Sequence, residues 1–338
     1  MNWVRWPALG LAMLGVGVIV GLGPPAPAQP SSNDAETLLH TATTAATHLS
    51  YSGVLTVEWS DRGQMHQAET SARIVDGVVE VGEGAQTALS RGGQRWVGSA
   101  GNWALMLGPD VPAATPPRPD ANWNLQTQPG PVIAGQPTTD VVVSDRRTGT
   151  ARARYFIDRT TGALLRREVL DPSGHLVREV SFDQLVALGS VAPPPPPSHA
   201  RRAEPSKLGS VPGGYDAPST LGRGYRLLGR YRQPDGTVQV FYGDGLFTLS
   251  LFEQRGTLDW GSVTRGATRR VDGVAARLVA TPTTSAVVWD ARGGVITCVA
   301  DAPPDQVMLA VQSLVDNASS SSVAHDIAHF VLGPFGWN

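Results

Sequence analysis

The one stretch of this sequence with metal-site spacing is His325-Asp326-Ile327-Ala328-His329. Two histidines four apart on a helix can share one metal, and an acid beside the first could serve as a base. Asp reaches less far than the usual Glu, no third ligand is evident, and only nine residues follow the motif. The plainer reading is an amphipathic tail that docks Ile327, Phe330 and Val331 and leaves the histidines polar. Cys298 lies inside the apolar run Val295-Ile296-Thr297-Cys298-Val299 and reads as a small buried residue, not a reactive thiol. No Gly-x-Ser-x-Gly elbow is present, and no phosphate-cradling Gly-rich loop opens a helix. Asp158 and Asp171 make turns. The pairs Arg146-Arg147, Arg166-Arg167, Arg201-Arg202 and Arg269-Arg270 could each grip an acidic partner, yet read more simply as solvated faces. These residues predict no catalytic side chain, no metal and no cofactor, so the chain is expected not to be an enzyme.

With 338 residues, 17% charged and 41% hydrophobic, the chain can bury two modest cores, and 38 Gly with 27 Pro leave few long helices. A net charge of -2, with Lys207 the sole lysine, argues against a nucleic-acid partner. At the N-terminus Arg5 is the only charge before an apolar run from Ala8 to Leu22, and Ala26-Pro27-Ala28 offers a signal-peptidase site. Residues 1–28 are therefore expected to be a signal peptide, or an uncleaved N-terminal anchor if the span starts at Trp3. The expected location is extracytoplasmic, in the periplasm or cell envelope. Cys298 is alone, so no intramolecular disulfide is expected there.

Asn33 and Glu36 form a capping pattern, and Ala35, Leu38, Leu39, Ala42, Ala46 and Leu49 recur at helical spacing. From Tyr51 the pattern turns to alternation, with Leu55, Val57 and Trp59 on one side. Further strands are predicted over 72–81, 85–90, 94–97, 103–107, 140–144, 151–158, 163–170 and 176–182, punctuated by Asp76-Gly77, Thr161-Gly162 and Asp171-Pro172-Ser173-Gly174. The fold class this predicts is α+β: a large antiparallel sheet over residues 33–188 with one helix on a face. Residues 108–119 read as a Pro-rich surface loop, and 189–222 as a linker with polyproline at 193–197. A smaller α+β domain is expected over 223–316, with strands around Val238–Tyr242, Phe247–Leu251, Ala276–Ala280, Ala286–Trp289 and Val295–Ala300. Its helix starts at Pro303-Pro304 and carries Val307, Val311, Leu314 and Val315. Residues 317–338 are left as a tail.

One helix cannot cover a broad curved sheet, which either closes on its own core or leaves a groove. Leu55, Val57, Trp59, Trp96, Trp103, Tyr155, Ile157 and Leu165 are the candidate lining of such a hydrophobic groove, as inward residues of successive strands.

Several motifs in order resemble one family. Tyr51-Ser52-Gly53, Ala134-Gly135-Gln136-Pro137 with Asp140-Val141-Val142-Val143, Tyr155-Phe156-Ile157-Asp158, Thr161-Gly162-Ala163-Leu164-Leu165-Arg166 and Val180-Ser181-Phe182 look like the N-terminal domain of RseB/MucB proteins. Val240-Phe241-Tyr242-Gly243-Asp244-Gly245-Leu246, Arg270-Val271-Asp272-Gly273 and Asp301-Ala302-Pro303-Pro304 resemble the family's smaller C-terminal domain. The Asp-x-x-Thr-Gly-x-Leu-Leu-Arg turn also occurs in lipoprotein carriers of the LolA type, and the two-domain order is what separates the two readings. The resemblance implies an unclosed, LolA-like half-barrel with a helical cover, and a second domain that touches the extracytoplasmic region of an anti-sigma factor near the membrane. It further implies that a lipid or acyl ligand relieves the shield this places on the anti-sigma factor. The alternative it leaves is a lipid or lipoprotein carrier.

Overall fold

The computed structural model describes residues 32–76, 78–82, 86–91, 94–99, 102–107, 122–187, 206–208, 217–232, 236–255, 257–260, 263, 266–271, 273–281, 284–291 and 294–320. Side chains are described for these except 32, 33, 46, 47, 86–107, 206, 207, 255 and 315–320. The expected leader, the 108–119 loop, most of the 189–222 linker and the His325/His329 motif lie outside the described residues. Two compact units hold two separate sheets.

The first unit opens with α1 (Ser32–His48), whose Ala35, Leu39, Ala42 and Ala45 form one buried stripe at helical spacing. Eleven strands follow: β1 (Tyr51–Asp61), β2 (Gln64–Val75), β3 (Val78–Val81), β4 (Gln86–Arg91), β5 (Gln94–Ser99), β6 (Asn102–Leu107), β7 (Trp123–Ile133), β8 (Gln136–Asp145), β9 (Ala151–Asp158), β10 (Leu164–Leu170) and β11 (Leu176–Ala187). Their order is β6-β5-β4-β3-β2-β1-β11-β10-β9-β8-β7. The first strand therefore pairs with the last in mid-sheet, antiparallel, while β6 and β7 end the sheet as edges and leave it unclosed. Two-residue turns at Arg62-Gly63 and Ala134-Gly135 have positive φ at both positions, the geometry that matches strand twist in tight hairpins.

Helix α1 packs on β7, β8, β9 and β10. It also passes tightly over the β9–β10 turn, where a Cβ added to Gly162 would stand 2.9 Å from Thr41 Cγ2 and 3.5 Å from Ala45 Cβ. That turn is shaped by Asp158, whose carboxylate accepts from the backbone N–H groups of Thr160 (3.0 Å) and Thr161 (3.2 Å) and from the Thr161 hydroxyl. The Asp-x-x-Thr-Gly motif is thus a turn that lets the helix approach. Strand β7 was not predicted from the sequence, because Pro129-Gly130-Pro131 interrupts its alternation. Its edge position explains the tolerance: an edge strand can lack ladder donors, and the register shifts between Pro129 and Val132.

The second unit holds β12 (Ser206–Lys207), β13 (Thr220–Leu221), β14 (Tyr225–Arg232), β15 (Val238–Gly243), β16 (Thr248–Arg255), β17 (Ala267–Val271), β18 (Val274–Ala280), β19 (Ser285–Ala291) and β20 (Gly294–Ala300). They form one sheet in the order β12-β14-β15-β16-β20-β19-β18-β17, with β13 paired to β14. Strands β14 and β17 also escaped the sequence reading, being broken by Gly229 and too short, respectively. Helix α2 (Pro304–Ser320) buries Val307, Ala310, Val311 and Leu314 and packs on β17–β20. A second apolar cluster joins Leu258 and Val263 of the β16–β17 connection to Val288 and Val295. Asp290 anchors it by accepting from Leu258 N (2.6 Å) and Trp260 Nε1 (3.1 Å). Cys298 is fully buried in β20, and burial pushes its thiol pKa up, away from reactivity.

Candidate ligand-binding face

Strand pairing separates the two faces of the first sheet. Val57 opposes Val180, Val180 opposes Arg167, Arg167 opposes Tyr155 and Tyr155 opposes Val141. The adjacent row runs Trp59, Arg178, Val169, Ala153, Val143 and Leu125. Directly opposed residues project to the same side, so these two rows make one largely apolar face. Leu55, two residues before Val57 and opposite Phe182, and Ile157, two after Tyr155, belong to it. Leu165 sits at a register shift in β10 and packs in one core cluster with Leu55, Val57, Ile74, Val79 and Phe182. The buried stripe of α1 needs apolar surface opposite it, which Leu125, Val141, Val143 and Tyr155 supply on β7–β9.

Six of the eight groove candidates are thereby placed. Leu55, Val57, Tyr155, Ile157 and Leu165 are buried, and Trp59 is half-buried with its ring stacked on His66, centroids 5.4 Å apart. Trp96 on β5 and Trp103 on β6 have side chains outside the described residues.

The intervening rows make a charged face. Thr56, Ser181, Arg166, Phe156 and Asp140 oppose one another in turn, as do Glu58, Glu179, Glu168, Arg154 and Val142. Arg154 donates to Asp140 Oδ2 from Nη2 at 2.6 Å and Nε at 3.1 Å, and lies 3.4 Å from Glu168. Gln128 Nε2 also donates to Asp140, at 2.7 Å. Arg166 pairs with Glu179 at 3.3 Å and donates to the Ser181 hydroxyl at 3.1 Å. Both guanidiniums lie over the Phe156 ring, at 4.9 and 5.5 Å from its centroid, so the phenyl is buried beneath charge. Burial raises the pKa of Glu168 and of Glu179, against the lowering pull of the nearby arginines.

Sequence reasoning missed two residues of the apolar face. Arg167 and Arg178 stand in its rows, Arg167 with its guanidinium 5.7 Å from the Tyr155 ring centroid and Arg178 only 4% exposed. The signal was available: neighbours on a strand point to opposite faces, so Arg166-Arg167 was never a pair in space. Arg166 serves the charged network, while Arg167 and Arg178 add two cations to the rows of the apolar face.

Among the described residues no helix is long and apolar enough to cross a membrane, and no group of three or more His, Cys, Asp or Glu could hold a metal ion. No family model matches the chain, and no curated protein matches it. Among solved structures it is similar to MucB from the Pseudomonas aeruginosa MucA/MucB complex, at 21% identity over 82% of this chain and 98% of that one, with a TM-score of 0.48. MucB alone aligns at 21% identity and a TM-score of 0.46, covering 84% of this chain and 97% of that one. A LolA superfamily protein from Nitrosomonas europaea aligns at 9% identity and a TM-score of 0.20, over 79% of this chain and 90% of its own.

Proposed function

We propose that this chain is a non-enzymatic sensor of the cell envelope that binds the extracytoplasmic region of an anti-sigma factor and takes an apolar acyl ligand on its first sheet. The single observation that carries the reading is the apolar face of an unclosed sheet, on which Leu55, Val57, Trp59, Tyr155 and Ile157 stand together. The order of motifs across both units supports the regulatory form of it, since a carrier needs the groove but not a second sheet. MucB has been crystallised in complex with MucA(peri), and a similar pairing is the partner class proposed for this chain. An acyl ligand can release the partner only if the two favour different arrangements of the protein, and acyl binding then weakens partner binding.

The test is the affinity of the full exported chain for an immobilised anti-sigma extracytoplasmic region, with and without a lauroyl-chain lipid. Binding that weakens by about fivefold or more with lipid is expected for coupling of ordinary size. Absence of partner binding refutes the regulatory reading, and lipid uptake with transfer to an acceptor but no partner binding makes the chain a carrier. Partner binding that ignores lipid refutes the sensing.

A further inference from the structure

The second sheet ends on β17, which pairs with β18 on one side and with no other strand among the described residues. At the opposite end of that sheet both β12 and β13 pair with β14. Strands β17 and β18 join through a two-residue turn that Val271 and Val274 close. Residues closing such a turn exchange hydrogen bonds, and the ladder bonds then recur at every second residue. Ala267, Arg269 and Val271 therefore bond inward to β18, while the backbone N–H and C=O groups of Thr268 and Arg270 point away from the sheet. The Arg269 guanidinium donates to the Thr268 carbonyl at 3.3 Å, in keeping with that direction. Thr268, Arg269 and Arg270 are all exposed. Arg277 of β18 stands opposite Thr268, half-buried, and its Nε has no hydrogen-bond partner. Among the described residues none of these three arginines makes an ion pair. Arg270 projects to the same side of the sheet as Arg277, and Arg269 to the other, so cations flank one open edge on both sides.

We propose that this edge takes an extended acidic segment of the partner as an added strand, bonded to the backbone of Thr268 and Arg270 and paired with Arg269, Arg270 and Arg277. A strand that joins an edge satisfies its outward backbone groups, and its alternate side chains fall on the two sides of the sheet, where acids meet the guanidiniums. Arg269 then exchanges its bond to a carbonyl for one to a carboxylate, a charge-assisted bond of roughly twice the strength. Charge also selects the occupant, because the only charges on β17 are positive: the edge repels a second copy of itself and admits a strand of opposite sign. The inference rests on the anti-sigma reading and deepens it by naming how the partner is held.

Residue-resolved hydrogen exchange of the full chain, alone and saturated with the anti-sigma extracytoplasmic region, tests it. The Thr268 and Arg270 amides are expected to gain about tenfold or more in protection on binding, and those of Ala267, Arg269 and Val271 to change less, being bonded already. The double variant Arg269→Glu/Arg270→Glu, at two exposed positions, should weaken partner binding by about tenfold, with the larger effect at low salt. Binding that leaves both amides unprotected, or that the double variant does not weaken, overturns the added strand and leaves the anti-sigma reading standing. Absence of any partner binding refutes both. Phosphatidylglycerol vesicles form a third arm: vesicle binding lost in the double variant with partner binding intact makes the arginines a lipid contact and overturns the proposal. Protection of the two amides that rises with the concentration of the chain alone gives the edge to a second copy and overturns it as well.

Discussion

If the two faces of the first sheet are separate, breaking the charged one should cost stability without touching ligand binding. Asp140 has no exposed side-chain surface and takes two hydrogen bonds from Arg154, whose side chain is 33% exposed. Removing one partner of a fully buried pair costs about 3–5 kcal/mol, because the other is left charged and dry. Water reaches a third of Arg154 and Glu168 stays 3.4 Å away, so about 2 kcal/mol is the figure for Asp140→Ala. Hydrogen exchange of β8 and β9 amides isolates the first unit, and that figure corresponds to a roughly thirtyfold loss of protection. Arg154→Ala should cost more, because it leaves the fully buried Asp140 carboxylate without its cation, with the Gln128 amide still donating to it. The double variant should fall short of the sum by about 1–2 kcal/mol, the signature of a shared interaction. Additive losses would refute the network, and a changed acyl affinity in Asp140→Ala would refute the separation of faces.

Three smaller tests follow from particular contacts. Gly162→Ala forces a side chain onto a φ of 76° and against Thr41, and should lower stability by more than about 1 kcal/mol in thermal unfolding. Glu168 has its pKa raised by burial, so its charge is held at a cost at neutral pH and its contribution to stability grows as pH falls. Glu168→Gln should accordingly stay within about 1 kcal/mol of the natural chain at pH 7 and flatten the pH profile of its melting temperature between pH 4 and 7. Cys298 should resist alkylation in the native protein and react at once in denaturant, as mass spectrometry would show.

The sequence carried the sheet and its helix because alternation and helical spacing are local. Ala35, Leu39 and Ala42 declared α1, and Leu55, Val57 and Trp59 declared β1, with no knowledge of what they pack against. What escaped depends on tertiary place. The Pro129-Gly130-Pro131 stretch reads as a break until β7 is seen to be an edge, where missing donors are harmless. Which side of the sheet is apolar emerges only from the register, through rows such as Val57, Val180, Arg167 and Tyr155 that span four strands. The resemblance motifs acquire physical meaning in the same way: Asp158 shapes a turn beneath α1, and Asp244 with Asp301 joins the β15–β16 turn to α2. The turns themselves are local, but Gly162 meets Thr41 and Asp244 meets Gln306 across long stretches of chain, so no window along the sequence could show those contacts.

The claim that an acyl chain lies along the apolar rows is tested most directly by a fatty acid bearing a diazirine on its hydrocarbon, bound to the full chain, irradiated and mapped by residue. The account predicts labelling at Leu55, Val57, Tyr155 and Ile157, and none at Thr56, Glu58, Arg154 or Arg166 on the charged side. Label confined to the charged side, or spread evenly over both faces, would contradict it.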